Sequence, residues 1–280
     1  MHLCYRIRSY ELRRAADVTE LHLEATTYPD ATNFARVLEA CFPGLVVAAP
    51  KSGGWLIHLS YECDFRLPGD VPSSSELEPL LETMRSVITV CDDCEISHCL
   101  DFYRTPLETA RSPEEWPSTP IGRLVYRGKY RGDREAAIGV GRALLDFIRG
   151  HPGLAQADAV AAVPRSSQPT GQIDLPILWT SLLARELRIE EVALRRVRGT
   201  LPQKNFADRA ARESNQRGSM RGPSELEGRS VVVLDDLYTE GFTMSEAVRA
   251  LRASGARSAF GLCAVKTAKG TQGIDFADLE

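Results

Sequence analysis

The chain has 280 residues, with 34 Lys/Arg against 38 Asp/Glu, a formal net charge of −4, 43% hydrophobic and 26% charged residues. That composition excludes collagenous and intrinsically disordered readings. No window reaches the roughly 18 consecutive apolar residues of a membrane span, and Met1-His2-Leu3-Cys4-Tyr5-Arg6 lacks the basic-then-apolar layout of a secretion signal, so a cytoplasmic protein without membrane contact is expected.

The charge is unevenly placed. Residues 1–120 hold 10 Lys/Arg and 19 Asp/Glu, whereas residues 121–280 hold 24 and 19, which points to two modules with different roles. In the acidic part, 18–23 alternates as a strand and 31–41 has helical spacing (Phe34, Val37, Leu38, Cys41). The stretch 55–63 alternates again, and 76–90 reads as one helix with Leu77, Leu80, Leu81, Met84 and Ile88 on a face. A small α+β accessory module over 1–103 is expected, without a catalytic constellation and with no role for His22 or His58.

Seven cysteines without a secretion signal indicate reduced thiols. In Cys91-Asp-Asp-Cys94-Glu-Ile-Ser-His98-Cys99 two thiolates suit tetrahedral zinc, but a second distant pair is missing, and the adjacent His98 and Cys99 rarely reach one ion. A cysteine-rich turn, and no zinc at Cys91, Cys94 and Cys99, is the expectation. Residues 104–120 carry four prolines and read as a linker.

Beyond it the pattern alternates: helix over 134–148, apolar strand over 157–163, helix over 175–187, strand over 231–234, helix over 245–254 and strand over 259–265. Continuous apolar strands between amphipathic helices predict an α/β domain over 121–280, a parallel sheet with helices on both faces. The segment Val231-Val-Val-Leu234-Asp235-Asp236-Leu237-Tyr238-Thr239-Glu240-Gly241-Phe242-Thr243-Met244 carries the chemistry. Two carboxylates end a buried strand, and a Thr/Gly loop opens a helix whose N-terminus favours phosphate. Carboxylates beside a phosphate site suit vicinal hydroxyls, so the residues themselves point to a ribose-phosphate site.

This string resembles the phosphoribosyl pyrophosphate (PRPP) motif of type I phosphoribosyltransferases. The resemblance implies that Asp235 and Asp236 bind the ribose hydroxyls, stabilise the oxocarbenium-like transition state and hold Mg²⁺ through PRPP. It implies that Leu237, Tyr238, Thr239, Glu240, Gly241, Phe242 and Thr243 wrap the 5′-phosphate, and that Pro164, Arg165 and Ser166 hold pyrophosphate. Glu240 stands where the family has a small residue, and a carboxylate aimed at phosphate repels it. Either Glu240 points outward, or the loop takes something less anionic, or binding is lost.

Two further stretches, Leu124-Val-Tyr-Arg-Gly-Lys129-Tyr130-Arg131-Gly132-Asp133 ahead of the first helix, and Leu194-Arg-Arg196-Val-Arg198-Gly-Thr200-Leu-Pro-Gln203 with Arg212-Glu-Ser-Asn215, resemble ComF-type members, which are associated with natural DNA uptake. Gln168-Pro-Thr-Gly-Gln172-Ile-Asp-Leu-Pro176 replaces their usual Arg-Gly-Phe-Asn, and the acidic module replaces their zinc finger. Residues 195–221 carry a net charge of +6. By resemblance Arg196, Arg198, Thr200, Gln203, Arg212 and Asn215 belong to a mobile loop closing over pyrophosphate. A groove for single-stranded DNA, with Phe206 the one aromatic, and a plain solvated surface stay open. The resemblance implies transfer of phosphoribosyl to a nitrogen base, with a homodimer among the expected assemblies. A non-catalytic PRPP- or nucleotide-binding protein of DNA uptake, processing or defence is the alternative.

Overall fold

The computed structural model describes residues 4–15, 18–25, 31–42, 45, 56–57, 60–68, 74–90, 92–94, 96–105, 115–166, 172–201, 205–206 and 208–268. The first part builds an antiparallel four-stranded sheet from β2 (Ile7–Ala15), β3 (Val18–Ala25), β4 (Leu56–Ile57) and β5 (Ser60–Pro68), in the order β2-β3-β5-β4. Period-two alternation buries Leu21 and Leu23 of β3 with Phe65 and Leu67 of β5. They share a core with Phe34, Val37 and Leu38 of α1 (Ala31–Cys41) and with Leu77, Leu80, Leu81 and Met84 of α2 (Ser74–Arg85).

The helix expected over 76–90 ends at Arg85, and Ile88–Val90 is instead strand β6. Ile, Thr and Val are β-branched, and all three are buried in a ladder rather than on a helix face.

The main sheet has seven strands in the order β1-β6-β7-β13-β12-β8-β9. β7 (Ser97–Phe102), β13 (Ser258–Lys266), β12 (Ser230–Tyr238), β8 (Ala159–Ala162) and β9 (Glu190–Val192) run parallel, while β6 and β1 (Cys4–Tyr5) add antiparallel at one edge. Val231 and Val233 share one core layer with Met244, Ala247, Val248 and Leu251 of α7 (Phe242–Ala253). Val232 and Leu234 share the other with Val140 and Leu144 of α4 (Arg134–Gly150) and Trp179 and Leu183 of α5 (Leu175–Leu187). This is the α/β parallel sheet covered on both faces. Because β6 and β7 belong to it, the sheet runs across the boundary expected near residue 103.

The stretch expected as a linker returns to the sheet. Arg104 bridges to Ser118, and the Thr119 hydroxyl donates to the Phe102 carbonyl at 2.6 Å while accepting from Gly122 N–H at 2.9 Å. That capping threonine, with Pro120 behind it, starts α3 (Pro120–Arg131), and Gly132 at φ 67° closes it. Leu124–Arg131, expected to lead into a helix, is thus itself helical. A Cβ on Gly122 would lie 2.1 Å from the Tyr103 carbonyl oxygen, so only glycine seats α3 on the end of β7. The basic segment forms a two-stranded arm, β10 (Arg195–Arg196) with β11 (Met220–Arg221), and α6 (Arg209–Gln216). Among the described residues no helix is long and apolar enough to cross a membrane.

Candidate functional site

The strand expected over 231–234 continues to Tyr238, because β13 stays paired with it through Leu237↔Val265 and Tyr238↔Lys266. The acidic pair therefore stands on a rigid ladder rather than in a loop. The Asp236 N–H donates to Asp235 Oδ1 at 2.8 Å. Only Thr239, Glu240 and Gly241 remain as the turn, with Gly241 at φ 83° immediately before α7. That left-handed backbone is accessible to glycine at little cost and turns the chain straight into a helix N-terminus.

Two cavities meet at this strand end. One of about 260 Å³ is lined by Lys129, Arg165, Ser166, Arg196, Asp235, Asp236 and Thr243, among others. The second, about 120 Å³, is enclosed by Asp235 and by Leu237 through Met244. Pro164 also lines the larger cavity, so the acidic pair expected for ribose and the three residues expected for pyrophosphate face a shared space. Leu237, Tyr238, Thr239, Glu240, Gly241, Phe242 and Thr243 surround the smaller one at the positive end of the α7 dipole.

Electrostatics around the acidic pair are strongly shaped by burial. Burial, then the Asp236 charge beside it, pushes the Asp235 carboxyl up to about 7, against the pull of the Asp236 N–H, Lys129 and Arg196. Lys129 Nζ stands 2.6 Å from Asp236 Oδ2. Burial alone would lower the Lys129 pKa, but the Asp236 carboxylate outweighs it and raises it. Beside the turn, Lys266 is 3% exposed as a residue, and its Nζ lies 3.5 Å from the Thr239 carbonyl oxygen and 5.3 Å from the Tyr238 ring centre. This buried positive charge favours an anion at the loop above it.

The cations expected on a mobile loop are tied to protein atoms. Arg196 Nε donates to the carbonyls of Pro164 at 2.9 Å and Arg165 at 3.0 Å, and its Nη1 reaches Thr200, Gln216 and Ser219 at 3.2 to 3.4 Å. Arg198 caps the end of α6 through the carbonyls of Asn215 and Arg217. Asn215 exchanges two hydrogen bonds with the Leu201 backbone. Arg198, Thr200 and Asn215 line neither cavity; Gln203 falls outside the described residues. Arg165 pairs with Asp174 at 3.0 Å and also bonds the Ile173 carbonyl, which ties the candidate pyrophosphate loop to the start of α5.

Glu240 is held by Arg212, Nη1 to Oε1 at 2.5 Å, and Arg212 also donates to the Phe206 carbonyl. The Glu240 carboxylate is thereby neutralised by a residue 28 positions earlier. If the loop takes a phosphate, Glu240→Gln is expected to tighten its binding about tenfold and Arg212→Ala to weaken it by a similar factor, since one charge in a partly wet site is worth roughly 1–2 kcal/mol. Titration calorimetry on both variants checks this, and equal affinities would show that the pair lies outside the phosphate field.

Of the cysteine cluster, Cys91 is outside the described residues. Cys94 and Cys99 are buried, and burial raises the Cys94 thiol well above its ordinary pKa. Asp92 organises the turn, accepting from Cys94 N–H at 2.9 Å and from the Tyr238 hydroxyl at 3.0 Å. Among the described residues no group of three or more His, Cys, Asp or Glu is placed to hold a metal ion.

Lys129 and Lys266 were not anticipated as site residues. Lys129 sits in the quoted Lys-Tyr stretch, and Lys266 is the polar residue ending an apolar strand, a weak signal by itself.

A family model described as a phosphoribosyl transferase domain matches residues 138–278. None of the curated proteins matches the chain. Among solved structures, orotate phosphoribosyltransferase from Aeropyrum pernix is 23% identical with a TM-score of 0.33, over 51% of this chain and 65% of that one. Adenine phosphoribosyltransferase from Thermoanaerobacter pseudethanolicus is 19% identical with a TM-score of 0.31, over 49% and 83%. Glutamine PRPP amidotransferase from B. subtilis is 16% identical with a TM-score of 0.32, over 91% and 47%. The chain thus spans less than two thirds of the orotate enzyme's length and less than half of the amidotransferase's. With half of its length matched by the domain model, the chain belongs to the phosphoribosyl transferase family.

Proposed function

We propose that the protein binds PRPP, or a nucleotide containing ribose 5-phosphate, and transfers the phosphoribosyl group to a nitrogen nucleophile. The observation that carries this reading is the convergence of Asp235, Asp236, Arg165, Ser166 and Thr243 on one cavity beside the α7 N-terminus. In the reading, Asp235 and Asp236 accept from the ribose 2′- and 3′-hydroxyls. Backbone N–H groups of Thr239–Thr243 and the Thr239 and Thr243 hydroxyls donate to the 5′-phosphate. Residues Pro164, Arg165 and Ser166 take the pyrophosphate. The C1–O bond breaks with its electron pair leaving on pyrophosphate, the acceptor nitrogen forms the new bond to C1, and its proton passes to solvent. A carboxylate beside C1 stabilises the positive charge that develops between these events.

Two adjacent carboxylates, one already paired with Lys129, are too few for a resident octahedral ion, but they fit a Mg²⁺ that arrives on the ligand's own oxygens. Asp235 and Asp236 would hold it through the ribose hydroxyls, and it would neutralise charge on the leaving group.

A second reading, a cytoplasmic ComF-type protein that binds PRPP or a nucleotide without turnover in DNA uptake, processing or defence, draws on Arg165. Its guanidinium is engaged by Asp174 and the Ile173 carbonyl rather than pointing at a leaving group.

The test is thermal unfolding with PRPP and Mg²⁺. A ligand at a hundred times its dissociation constant adds about 2.7 kcal/mol, a rise of several degrees for a chain of this size. The rise is expected in the wild-type protein and absent from Asp235→Asn/Asp236→Asn, each measured against its own ligand-free transition. An unmoved wild-type transition at millimolar PRPP would overturn the ribose-phosphate reading. Stabilisation without pyrophosphate release across a panel of nitrogen bases would select the binding-only form.

A further inference from the structure

Lys129 lies before the matched family segment, on α3, yet it forms part of the wall of the cavity that holds the acidic pair. The helix is anchored at its start by Thr119 on Phe102 and by Gly122 against the Tyr103 carbonyl. Its last turn delivers the ammonium to Asp236 at 2.6 Å, with the two side chains 24% and 10% exposed. A carboxylate oxygen engaged this closely by an ammonium is blocked from a ribose hydroxyl and from a divalent cation. In the same pose the Tyr130 ring centre is 5.8 Å from Nζ and Tyr130 is 53% exposed, so the ammonium can keep this cation–π contact while it leaves Asp236.

We propose that Lys129 is the built-in counter-ion of the ribose site: it occupies Asp236 while no ligand is bound and is displaced toward Tyr130 when a ribose 5-phosphate ligand arrives with its divalent cation. The displacement half of this inference rests on the ribose-phosphate reading of Asp235 and Asp236; the occupancy half does not. Two cations compete for one carboxylate, so Lys129 keeps free metal off the acidic pair. A metal bound to a phosphate ester binds the acidic pair with more contacts than the bare ion has, which offsets the cost of moving the ammonium off Asp236. The site thereby selects the metal–ligand complex over the bare ion.

The test uses the full chain and Mn²⁺ alone, followed by calorimetry or by the electron paramagnetic resonance of the free ion. Lys129→Met and Lys129→Gln are expected to bind Mn²⁺ at least tenfold more tightly than the wild-type protein. Lys129→Arg, which restores the charge, is expected to bind as weakly as wild type, and Lys129→Met/Asp236→Asn to lose the gain. Folded Met and Gln variants with unchanged Mn²⁺ affinity would overturn the assignment. A measurement on the unmodified protein is independent of variant folding: labelling of Lys129 by an amine-reactive ester, read by mass spectrometry, should rise when PRPP and Mg²⁺ are added, and constant or reduced labelling rules out displacement. If PRPP leaves the wild-type transition unmoved while Lys129→Met gains Mn²⁺, the ribose-phosphate reading fails and the counter-ion role stands. PRPP stabilisation without any metal gain does the reverse.

Discussion

Arg196→Ala is expected to lower the free energy of unfolding by roughly 3 kcal/mol and to abolish the proposed ribose 5-phosphate binding. The guanidinium is half-buried and serves five acceptors: two carbonyls of the candidate pyrophosphate loop and the side chains of Thr200, Gln216 and Ser219. Gln216 and Ser219 are buried, so their oxygens cannot turn to water when the donor is removed. Hydrogen bonds from a charged donor are worth about 1.5–3 kcal/mol, and orphaned buried acceptors cost about 1–3 kcal/mol each, which partial exposure of the arginine reduces. The same side chain joins the β10–β11 arm to the loop after β8, so its loss loosens both walls of the cavity together. Urea unfolding measures the first effect and calorimetry the second. Arg196→Lys should recover less than half of the stability, because an ammonium lacks the planar fork. A loss below about 0.5 kcal/mol, the scale of an ordinary surface change, would show that the acceptors find other donors.

The second large effect is an acid-dependent loss of stability traced to two histidines. His98 on β7 and His151 just after α4 are fully buried, with Nε2 atoms 3.2 Å apart. The Leu154 N–H donates to His151 Nδ1, so a neutral His151 carries its proton on Nε2 and donates to His98 Nε2. His98 then holds its proton on Nδ1, 3.2 Å from the Thr89 hydroxyl. Every ring nitrogen has a partner only while both rings are neutral. Burial lowers both pKa values, His151 to about 4 and His98 well below its ordinary value, with the His151 ring adding to the effect on His98.

The unfolded chain therefore binds more protons than the folded one between the ordinary histidine value, near 6.5, and about 4. The contribution is fully present above pH 6.5 and is lost as the pH falls toward 4. For His151 alone, about 2.5 pKa steps correspond to roughly 3 kcal/mol. Asp235, raised to about 7, works in the opposite direction over much of the same range, gaining stability as the pH falls. The dyad is isolated by comparison with His98→Gln/His151→Gln, in which Asp235 is unchanged. On going from pH 7.5 to pH 4.5 the wild-type protein should lose at least about 2–3 kcal/mol more stability than the variant, the share of His151 alone, with His98 adding to it. Parallel pH profiles would mean that the pair is charged or solvated in the folded chain.

The long apolar runs at 159–162 and 258–266 and the amphipathic helices α4 and α5 are legible in the sequence because their signals are local: a buried parallel strand is continuously apolar, and a covering helix repeats every 3.6 residues. The acidic pair and the turn after it are legible for the same reason, since a strand, two carboxylates and a glycine turn into a helix are contiguous. β7 escapes such reading because Ser97-His-Cys-Leu-Asp-Phe102 mixes polar and apolar residues with no simple period. Two of its polar members meet partners remote in the chain, His98 with His151 and Asp101 with Arg6.

What the sequence determined by itself is the class of fold, the strand that carries the carboxylates and the helix N-terminus beside them. Only the tertiary structure decided which charges meet. The net +6 of 195–221 reads as an excess of cations, yet Arg196, Arg198 and Arg212 are each engaged by protein atoms. Lys129 and Asp236 stand 107 positions apart in the chain and 2.6 Å apart in the fold. Ion pairs and buried rings of this kind have no period and no fixed spacing. Their partners are set by how the sheet brings remote strand ends together, and a charge count cannot distinguish a paired arginine from one waiting for phosphate.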